Sequence, residues 1–447
     1  LLLPSVRLSS RSPPLWPCFA AEVSSNLQSR ALSSKSSRGQ LRVPEALVSR
    51  PRAELGVSLR LQGTATIARL LRLAGVSYLG LVAGFSASAP RLSLQPRRAL
   101  AHQLRGGASS ATMADAASVL KQQRASWQQT MLRIKDPVKS VAFYRDVMGM
   151  TLIDKLEFPD MTFDLYFLTT LPEGETYPHT PGSDEAHKYL WTMKGATLEL
   201  THNYGTEKDE SFKYHPGNGE KDGFGHVAFN TADVYAASAK LEEKGITFKK
   251  KPDEGRMKGL AFVYDPDGYW VELVRRDDAA NIPNEFNLSQ TMLRIKDPKK
   301  SIPFYERLGM TLCRESHFGD FSLYFLSCLP EGVTAPDPKG AEASTFVKTL
   351  FNPVLELTHN HGTETQDDFA HFNGNEADRK GFGHIGFLVD DVDATCGALE
   401  QLGATFKKKP MDGTMKGLAF AQDPDGYWIE IIKRGGYDQA ATPYWKE

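Results

Sequence analysis

Four polar residues that could bind a metal ion occur twice in this 447-residue chain, in the same order and at nearly the same separation. The first set consists of Gln129, Glu199, His226 and Glu272. The second set follows 157 to 161 residues later and consists of Gln290, Glu356, His384 and Glu430. Three oxygen donors and one imidazole are a suitable ligand set for a divalent cation, and no cysteine is included. The repeated residues therefore predict a metal-dependent chemistry that is duplicated within the chain.

The surroundings of the first glutamate in each set support this interpretation. Glu199 stands between Leu198 and Leu200 in a strand-like segment, and Glu356 has the same Leu-Glu-Leu-Thr-His-Asn context. A carboxylate between core-facing leucines loses hydration unless a cation or a hydrogen-bond donor compensates. One such acid or histidine alone is more often satisfied by its neighbours in a sheet. The joint repetition of all four residue types favours the metal site.

Both sets belong to a tandem duplication in which each copy has the size of a domain. The motif Gln-Thr-Met-Leu-Arg-Ile-Lys-Asp-Pro begins at Gln129 and again at Gln290, and three later motifs recur in the same order. A repeat of this length excludes a solenoid of short units. The predicted boundaries are 126–276 for the first copy, 277–286 for a linker, 287–434 for the second copy and 435–447 for a C-terminal tail.

Each copy has the pattern of two β-α-β-β-β modules. In the first module a strand over 129–134 leads into an amphipathic helix that ends before Gly149, and three strands follow. The second module has a strand over 226–230 and a helix over 233–244, again followed by three strands. Because side chains two apart on a strand share a face, the polar residues are directed to one cavity. The sequence therefore predicts an α+β fold of four modules that form curved mixed sheets around metal sites.

The first quarter of the chain has a different composition from the rest. Residues 1–112 contain fourteen Arg and one Lys against three Glu, a net charge of +12, which leaves −13 for the remainder. A basic segment rich in Ser, Ala and Leu is typical of an organelle transit peptide, so we expect it to be disordered or removed. Its apolar run, 73–89, is shorter than a membrane span and resembles a signal segment. We expect a plastid or mitochondrial location if this leader is translated, and a cytoplasmic one if translation starts at Met113.

Composition also limits the partners. The acidic remainder argues against a nucleic-acid partner, since phosphate binding needs a concentrated basic surface. A nucleic-acid-binding arm within the leader is the weaker alternative, because no aromatic residues are interleaved with its arginines. No stable membrane association is expected. The cysteines do not recur between the copies and are predicted to be reduced thiols.

Five motifs together resemble glyoxalase I, the lactoylglutathione lyase family of the vicinal-oxygen-chelate superfamily. They are Gln-Thr-Met-Leu-Arg, Leu-Glu-Leu-Thr-His-Asn, Gly-Phe-Gly-His, Met-Lys-Gly-Leu-Ala-Phe and Asp-Pro-Asp-Gly-Tyr-Trp. The resemblance covers nearly all of residues 127–434, and two copies in one chain resemble the monomeric two-domain form of fungi and protists. It implies isomerisation of the methylglyoxal-glutathione hemithioacetal to S-D-lactoylglutathione through an ene-diolate, a step in methylglyoxal detoxification.

The resemblance implies that each metal site combines ligands from both copies. One site would contain Gln129, Glu199, His384 and Glu430. The other would contain Gln290, Glu356, His226 and Glu272. The glutamates that follow Tyr-Trp, Glu272 and Glu430, would be the catalytic bases. Zinc is the expected cation because the insertion over 171–194 resembles the zinc-dependent form, although Ni²⁺ or another divalent ion also suits oxygen-rich ligands.

Glutathione-binding residues are likewise implied by the resemblance. For the γ-glutamyl end they are Arg133, Asn203, Arg294 and Asn360. For the glycyl end they are Lys250, Lys408, Arg256, Met257 and Met415, with Thr414 in the position that corresponds to Arg256. The family's arginine before the ligand histidine is replaced by Asp222 and by Lys380. We therefore expect the site that uses Arg256 to hold glutathione more tightly than the site that uses Thr414.

Two alternative functions remain open at this point. An extradiol dioxygenase or an epimerase belongs to the same superfamily, but a ring-cleaving iron site needs two histidines, whereas each set here has one. A glutathione-conjugate binding module is the second alternative. Retention of all four ligand types in both copies argues against it.

Overall fold

The computed structural model describes residues 110–436, with side chains from residue 113 onward. Residues 1–109 and 437–447 lie outside this range, so the predicted leader function and most of the predicted tail are not tested. The described residues form sixteen strands and seven α-helices in four β-α-β-β-β modules. The predicted α+β fold of four modules is confirmed.

The elements have the following bounds. The strands are β1 (Ser126–Ile134), β2 (Thr151–Phe158), β3 (Phe163–Thr169), β4 (Thr197–Asn203), β5 (Phe224–Thr231), β6 (Phe248–Lys250), β7 (Ala261–Tyr264), β8 (Trp270–Arg275), β9 (Asn287–Ile295), β10 (Thr311–His317), β11 (Phe321–Ser327), β12 (Val354–Asn360), β13 (Phe382–Val389), β14 (Thr405–Lys408), β15 (Ala419–Gln422) and β16 (Trp428–Lys433). The helices are α1 (Ser110–Gln122), α2 (Pro137–Ala142), α3 (Asp184–Leu190), α4 (Val234–Glu243), α5 (Pro298–Arg307), α6 (Ala343–Thr349) and α7 (Val392–Gln401). A π-helical turn, Phe143–Val147, extends α2.

The strands form two mixed sheets of eight strands each. Sheet 1 has the order β14-β15-β16-β13-β1-β4-β3-β2, and sheet 2 has the order β10-β11-β12-β9-β5-β8-β7-β6. At the centre of sheet 1, β1 of the first copy pairs antiparallel with β13 of the second copy. At the centre of sheet 2, β5 pairs antiparallel with β9. Each sheet therefore contains four strands from each sequence copy.

The helix ends follow from local sequence signals. Asp136 and Asp233 cap α2 and α4 by accepting backbone N–H groups of the first turn, and α5 and α7 begin in the same way. Proline at the first position of α2 is tolerated because its missing N–H has no partner there. Gly149 and Gly245 follow their helices with φ of +71° and +76°, a conformation that glycine adopts at little cost.

Aliphatic side chains on one face of each strand form the core. Leu132 and Ile134 of β1 and Leu198 and Leu200 of β4 are completely buried, and Tyr144 from the turn after α2 packs in the same cluster. Burial of each such side chain stabilises the fold by roughly 1.5–3 kcal/mol. The polar residues that alternate with them on the strands consequently lie on the opposite face, which carries the predicted ligands.

Three helices lie where the sequence pattern predicts none. These are α1, which precedes the first copy, α3, which lies within the insertion, and α6, which lies at the equivalent place in the second copy. Helix α3 has seven residues and is capped by Ser183, whose side chain accepts a hydrogen bond from the backbone N–H of Ala186. So short a helix offers too few turns for a hydrophobic period to show. Within residues 110–436, every helix falls short of the length and apolarity that crossing a membrane requires.

Candidate metal centres

Four adjacent strands of sheet 1 direct one polar residue each to the same point. These residues, which we call the first centre, are Gln129 on β1, Glu199 on β4, His384 on β13 and Glu430 on β16. His384 Nε2 lies 3.3 Å from Glu199 Oε2 and 3.0 Å from Glu430 Oε2. The Gln129 amide nitrogen lies 3.1 Å from His384 Nε2, donates to Glu430 Oε2 at 2.8 Å, and also donates to Glu199. All four side chains are buried.

Sheet 2 contains the equivalent arrangement. The second centre consists of Gln290 on β9, Glu356 on β12, His226 on β5 and Glu272 on β8. The Gln290 amide donates to Glu272 Oε2 and to Glu356 Oε2, both at 2.8 Å. His226 Nε2 lies 3.2 Å from Glu272 Oε2 and 3.7 Å from Glu356 Oε2. The second centre is thus slightly wider than the first.

Both centres combine residues of the two copies, because β1 pairs with β13 and β5 pairs with β9. A glutamine and a glutamate come from one copy, and a histidine and a glutamate come from the other. The structure therefore brings together the same two groups of four residues that the resemblance implies. Within each group the two carboxylates and the imidazole place ligand atoms within 4.8 Å of one another.

Each centre favours a positive charge. Burial disfavours a charged imidazole, but the carboxylates of Glu430 and Glu199 outweigh this and raise the pKa of His384 to about 9. Burial and the carboxylates of Glu272 and Glu356 act on His226 in the same way, and its pKa is also raised to about 9. Two buried carboxylates therefore create a negative field that a divalent cation would neutralise more fully than a proton.

The donor atoms fit a divalent cation. The Gln129 amide oxygen is buried and has no hydrogen-bond partner among the described residues, which is costly unless something else satisfies it. The amide nitrogen faces the carboxylates and the imidazole in this structure. With the amide turned by 180° about its last torsion, the oxygen would take that place and complete a set of three oxygens and one nitrogen. Glu199 is further held by the hydroxyl of Thr201, which donates to its second oxygen at 3.1 Å. Positioning of a ligating carboxylate by such a donor is common in metal sites.

Close approach of β13 to Gln129 depends on a glycine that the sequence motifs do not mark. Gly386 lies directly opposite Gln129 in the antiparallel pair. A Cβ atom on Gly386 would come within 2.7 Å of Gln129 Cγ and 3.0 Å of its Cδ. The corresponding position opposite Gln290 is Ala228. The absence of a side chain at Gly386 therefore makes room for the glutamine in the first centre only.

The arginines expected at the γ-glutamyl end are held by the loops that precede β5 and β13. Arg133 donates to Asn375 Oδ1 at 2.8 Å and to the carbonyl oxygen of Phe382 at 3.1 Å. Arg294 makes the equivalent bonds to Asn218 at 2.9 Å and to the carbonyl of Phe224 at 3.2 Å. Both arginines thus connect one copy to the other. Their role in glutathione binding stays a prediction, and the two loop asparagines are partners that the sequence motifs did not reveal.

The remaining predicted glutathione residues differ in exposure and in hydrogen bonding. Asn203 is half-buried and donates to the Tyr214 hydroxyl at 2.8 Å, and Asn360 is exposed. Lys250 donates to the carbonyl of Leu260 at 2.6 Å. On the following loops Arg256, Met257 and Thr414 are exposed, Met415 is half-buried, and Lys408 donates to the carbonyl of Leu418 at 2.6 Å. Their proposed contacts with glutathione stay predictions.

The family's arginine position contains an ion pair in this chain. Asp222 accepts from Arg379 Nη1 at 2.8 Å and lies 2.6 Å from His215 Nε2. Burial raises the pKa of Asp222, but the Gly219 backbone N–H and these two side chains outweigh it and hold the pKa below its usual value. Arg379 also stacks on Phe372 with 4.1 Å between the guanidinium carbon and the ring centroid. The ion pair between Asp222 and Arg379 therefore joins the two copies outside the metal centres.

Comparison with known proteins identifies the class. The family model described as Glyoxalase/Bleomycin resistance protein/Dioxygenase superfamily matches residues 127–273 and 287–431. The chain is 43% identical over 311 residues to a lactoylglutathione lyase of Schizosaccharomyces pombe, covering 68% of this chain and 95% of that protein. It is 40% identical over 319 residues to glyoxalase I of Saccharomyces cerevisiae, covering 68% and 91%. The crystal structure of glyoxalase I from Zea mays matches with a TM-score of 0.50 and 27% identity, covering 70% of this chain and 94% of that one.

The fold of four modules and the two buried carboxylate-imidazole centres define a metal-dependent enzyme of this superfamily. Within it, the chain belongs to the glyoxalase I family of lactoylglutathione lyases. The family assignment from the motifs is confirmed, and it is favoured over an epimerase, a dioxygenase or a binding module.

Proposed function

We propose that this protein converts the hemithioacetal of methylglyoxal and glutathione into S-D-lactoylglutathione at two centres per chain. The observation that carries the proposal is the meeting of two buried carboxylates, an imidazole and a glutamine amide at each centre. The relatives named lactoylglutathione lyase or glyoxalase I support the substrate. In this reaction no atom is gained or lost, since one proton moves from C1 to C2 and the other from one oxygen to its neighbour.

The proposed proton carrier is the glutamate that follows Tyr-Trp. Glu430 would remove the C1 proton in the first centre and return it to C2, and Glu272 would do so in the second. A bound divalent cation would polarise the two substrate oxygens and stabilise the ene-diolate charge. Burial of both glutamates excludes bulk water, so a proton held on the carboxylate is returned to the substrate rather than lost.

We propose zinc as the cation and glutathione as the cosubstrate. Zinc is supported by the long insertion before β4 and by the oxygen and nitrogen donors, which also accept Ni²⁺ and other divalent ions. Glutathione is supported by the predicted set of arginines, asparagines and lysines around each centre. Elemental analysis of the purified protein, together with activity after exchange into each metal, tests the first proposal. Replacement of glutathione by other thiols in the assay tests the second.

A single chain is proposed to be sufficient for activity. The pairings of β1 with β13 and of β5 with β9 already supply both halves of each centre, so no second chain is required. Light scattering of the active protein should give the mass of one chain. The compartment stays a proposal that rests on the basic composition of residues 1–112, and imaging of reporter fusions that begin at residue 1 and at Met113 would distinguish an organelle from the cytoplasm.

The decisive experiment removes the proposed bases one at a time. Thioester formation from the hemithioacetal would be followed by absorbance in Glu272→Gln, Glu430→Gln and the double variant. We expect activity in each single variant and none in the double variant, with metal content measured in parallel. Loss of all activity in either single variant would show that the two centres do not work independently. Full activity in the double variant would contradict the proposed role of these glutamates.

A further inference from the structure

Each ligand glutamate begins a row of three paired residues that extends across the sheet to its edge. The second member of every row is a phenylalanine, and the third lies on the outermost strand. The rows are Glu199-Phe167-Asp154 and Glu430-Phe420-Lys408 in sheet 1, and Glu356-Phe325-Arg314 and Glu272-Phe262-Lys250 in sheet 2. Residues paired directly on neighbouring strands point to the same face of a sheet. The outer residue of each row therefore lies on the ligand-bearing face.

The charges at the ends of the rows differ between the centres. The first centre has Asp154 at one end and Lys408 at the other, whereas the second centre has Arg314 and Lys250. Asp154 is completely buried, and both of its carboxylate oxygens already have partners: one lies 2.5 Å from His187 Nδ1, and the other accepts from the backbone N–H of Gly182 at 2.8 Å. The second centre thus has a cation on both sides, and the first centre has a cation on one side only.

Arg314 differs from Lys250 and Lys408, the other cations at the row ends, because each lysine donates a hydrogen bond to a backbone carbonyl oxygen. Within residues 110–436 its guanidinium has no hydrogen-bond or ion-pair partner, although the side chain is half-buried. The guanidinium carbon lies 5.4 Å from the ring centroid of Phe325. Burial lowers the pKa of Arg314, and the negative charge of Glu356 opposes that shift. A partly desolvated cation without an anion is unfavourable and is suited to receive one from a ligand.

The same region of the first centre is apolar. Phe167 lies next to Glu199, packs against Trp191 with 5.7 Å between ring centroids, and belongs to a buried cluster. Leu388, two residues beyond Gly386 on the same face, belongs to this cluster too. Phe325, the counterpart of Phe167, belongs to neither of the apolar clusters found among the described residues. The two centres therefore offer different surroundings to a substituent placed beside the Glu199 or Glu356 row.

We propose that Arg314 is a specificity-determining residue of the second centre and binds an anionic group on the oxoaldehyde part of the substrate. The first centre takes an apolar group at the equivalent place. This inference rests on the proposed function. Lys250, expected at the glycyl end of glutathione, ends the opposite row, because β6 and β10 are the two edges of sheet 2. Arg314 therefore faces the side of the centre that lies away from the glycyl carboxylate.

The test compares two substrates of matched shape. Hemithioacetals of glutathione with phenylglyoxal and with 4-carboxyphenylglyoxal differ only in one carboxylate. We expect the ratio of kcat/KM for the carboxylated over the plain substrate to be about tenfold higher in Glu430→Gln, which retains the second centre, than in Glu272→Gln. Adding Arg314→Met to Glu430→Gln should remove this difference, and Arg314→Lys should retain part of it. Lys339→Met, which removes an exposed cation near Glu315 instead, is the matched control and should leave the ratio unchanged.

Binding without turnover separates failure of this inference from failure of the proposed function. Calorimetry would compare S-benzylglutathione with S-(4-carboxybenzyl)glutathione on the zinc-loaded wild type and on Arg314→Met. One of the two sites should prefer the carboxylated compound in the wild type and lose the preference in the variant. If that preference is found but the wild type does not turn over the glutathione hemithioacetal, the proposed function is wrong and the anion site stands. Equal preferences at both sites, or a preference that survives Arg314→Met, would overturn the inference.

Discussion

Replacement of Gly386 by alanine should weaken metal binding at the first centre and leave the second centre intact. The added Cβ would lie 2.7 Å from Gln129 Cγ, 3.0 Å from Cδ and 3.3 Å from the amide nitrogen. Carbon atoms pack at about 3.5–4.0 Å, so the glutamine must withdraw by about 0.5–1 Å. The second centre already has alanine at this register position, Ala228, and its His226–Glu356 separation of 3.7 Å exceeds the 3.3 Å between His384 and Glu199.

The size of the effect follows from the tolerance of metal coordination. Ligand distances in metal sites hold to within about 0.2 Å, so a displacement several times larger removes the amide as a ligand or strains its rotamer. Loss of a supporting contact typically lowers metal affinity by roughly 10–100-fold. We therefore expect Gly386→Ala to weaken zinc at the first centre by at least about tenfold, which corresponds to about 1.4 kcal/mol.

Chelator competition on metal-free protein measures this directly. Two binding events are expected in the wild type, and Gly386→Ala should weaken the tighter one alone. Ala228→Gly should tighten the weaker event, and Gly397→Ala, where an added Cβ meets nothing within 4 Å, is the control for a glycine substitution as such. In the Glu272→Gln background, Gly386→Ala should also lower kcat/KM. Wild-type affinity at both sites in Gly386→Ala would refute the reasoning that glycine at this register position sets the glutamine.

Three other outcomes are expected. Because Arg256 adds a cation that Thr414 lacks, the second centre should have an about twofold to fivefold lower KM for the glutathione hemithioacetal than the first. Thr414→Arg should reduce this difference in KM. Equal KM values in Glu272→Gln and Glu430→Gln, which each retain one centre, would contradict the expectation. Asp222 has a depressed pKa in the folded state, so its stabilisation is present above the unfolded value of about 4 and is lost as pH falls through the folded pKa. The thermal unfolding midpoint of the metal-free protein should accordingly fall less between about pH 5 and pH 3 in Asp222→Asn than in the wild type. Parallel plots of midpoint against pH for the two proteins would count against the ion pair with Arg379. Removal of the cation by a chelator should abolish activity and lower the thermal unfolding midpoint, measured by calorimetry, by a few degrees. Addition of zinc should restore both. A chelator-treated protein that keeps its activity would rule out a metal-dependent reaction.

Much of the fold could be predicted because its signals are local. Asp136 followed by proline and Gly149 mark the two ends of one helix, and alternation around Glu199 separates core-facing from ligand-bearing positions. The predicted strand over 226–230 lies within two residues of β5 at each end, and the one over 129–134 ends with β1 but begins three residues later. Helix α3 could not be predicted in this way, since seven residues in a polar insertion show no period.

Parts of the candidate site depended on contacts that no local pattern reveals. The motifs identified Arg133 as polar and strand-borne, but its partner Asn375 lies 242 residues away in a loop that the motifs do not include. Gly386 reads as an ordinary strand residue until its register opposite Gln129 is known. Arg314 likewise belongs to no motif, and its lack of a hydrogen bond or ion pair within residues 110–436 follows from the arrangement of three neighbouring strands rather than from its own segment.

The sequence by itself determined which residue types are candidates for binding a metal and that each type is present twice. It did so because strand alternation is a local property: leucines beside Glu199 must face the core, so the glutamate must face the other way. The tertiary structure decided which histidine lies in the same centre as which glutamine. Pairing of β1 with β13 joins residues about 255 positions apart, and such non-local pairing is selected by the packing of whole sheets rather than by any neighbouring residue. The same packing makes the two centres unequal: the first has Gly386 and an apolar cluster, and the second has Ala228 and Arg314, which makes no ion pair within the described residues 110–436.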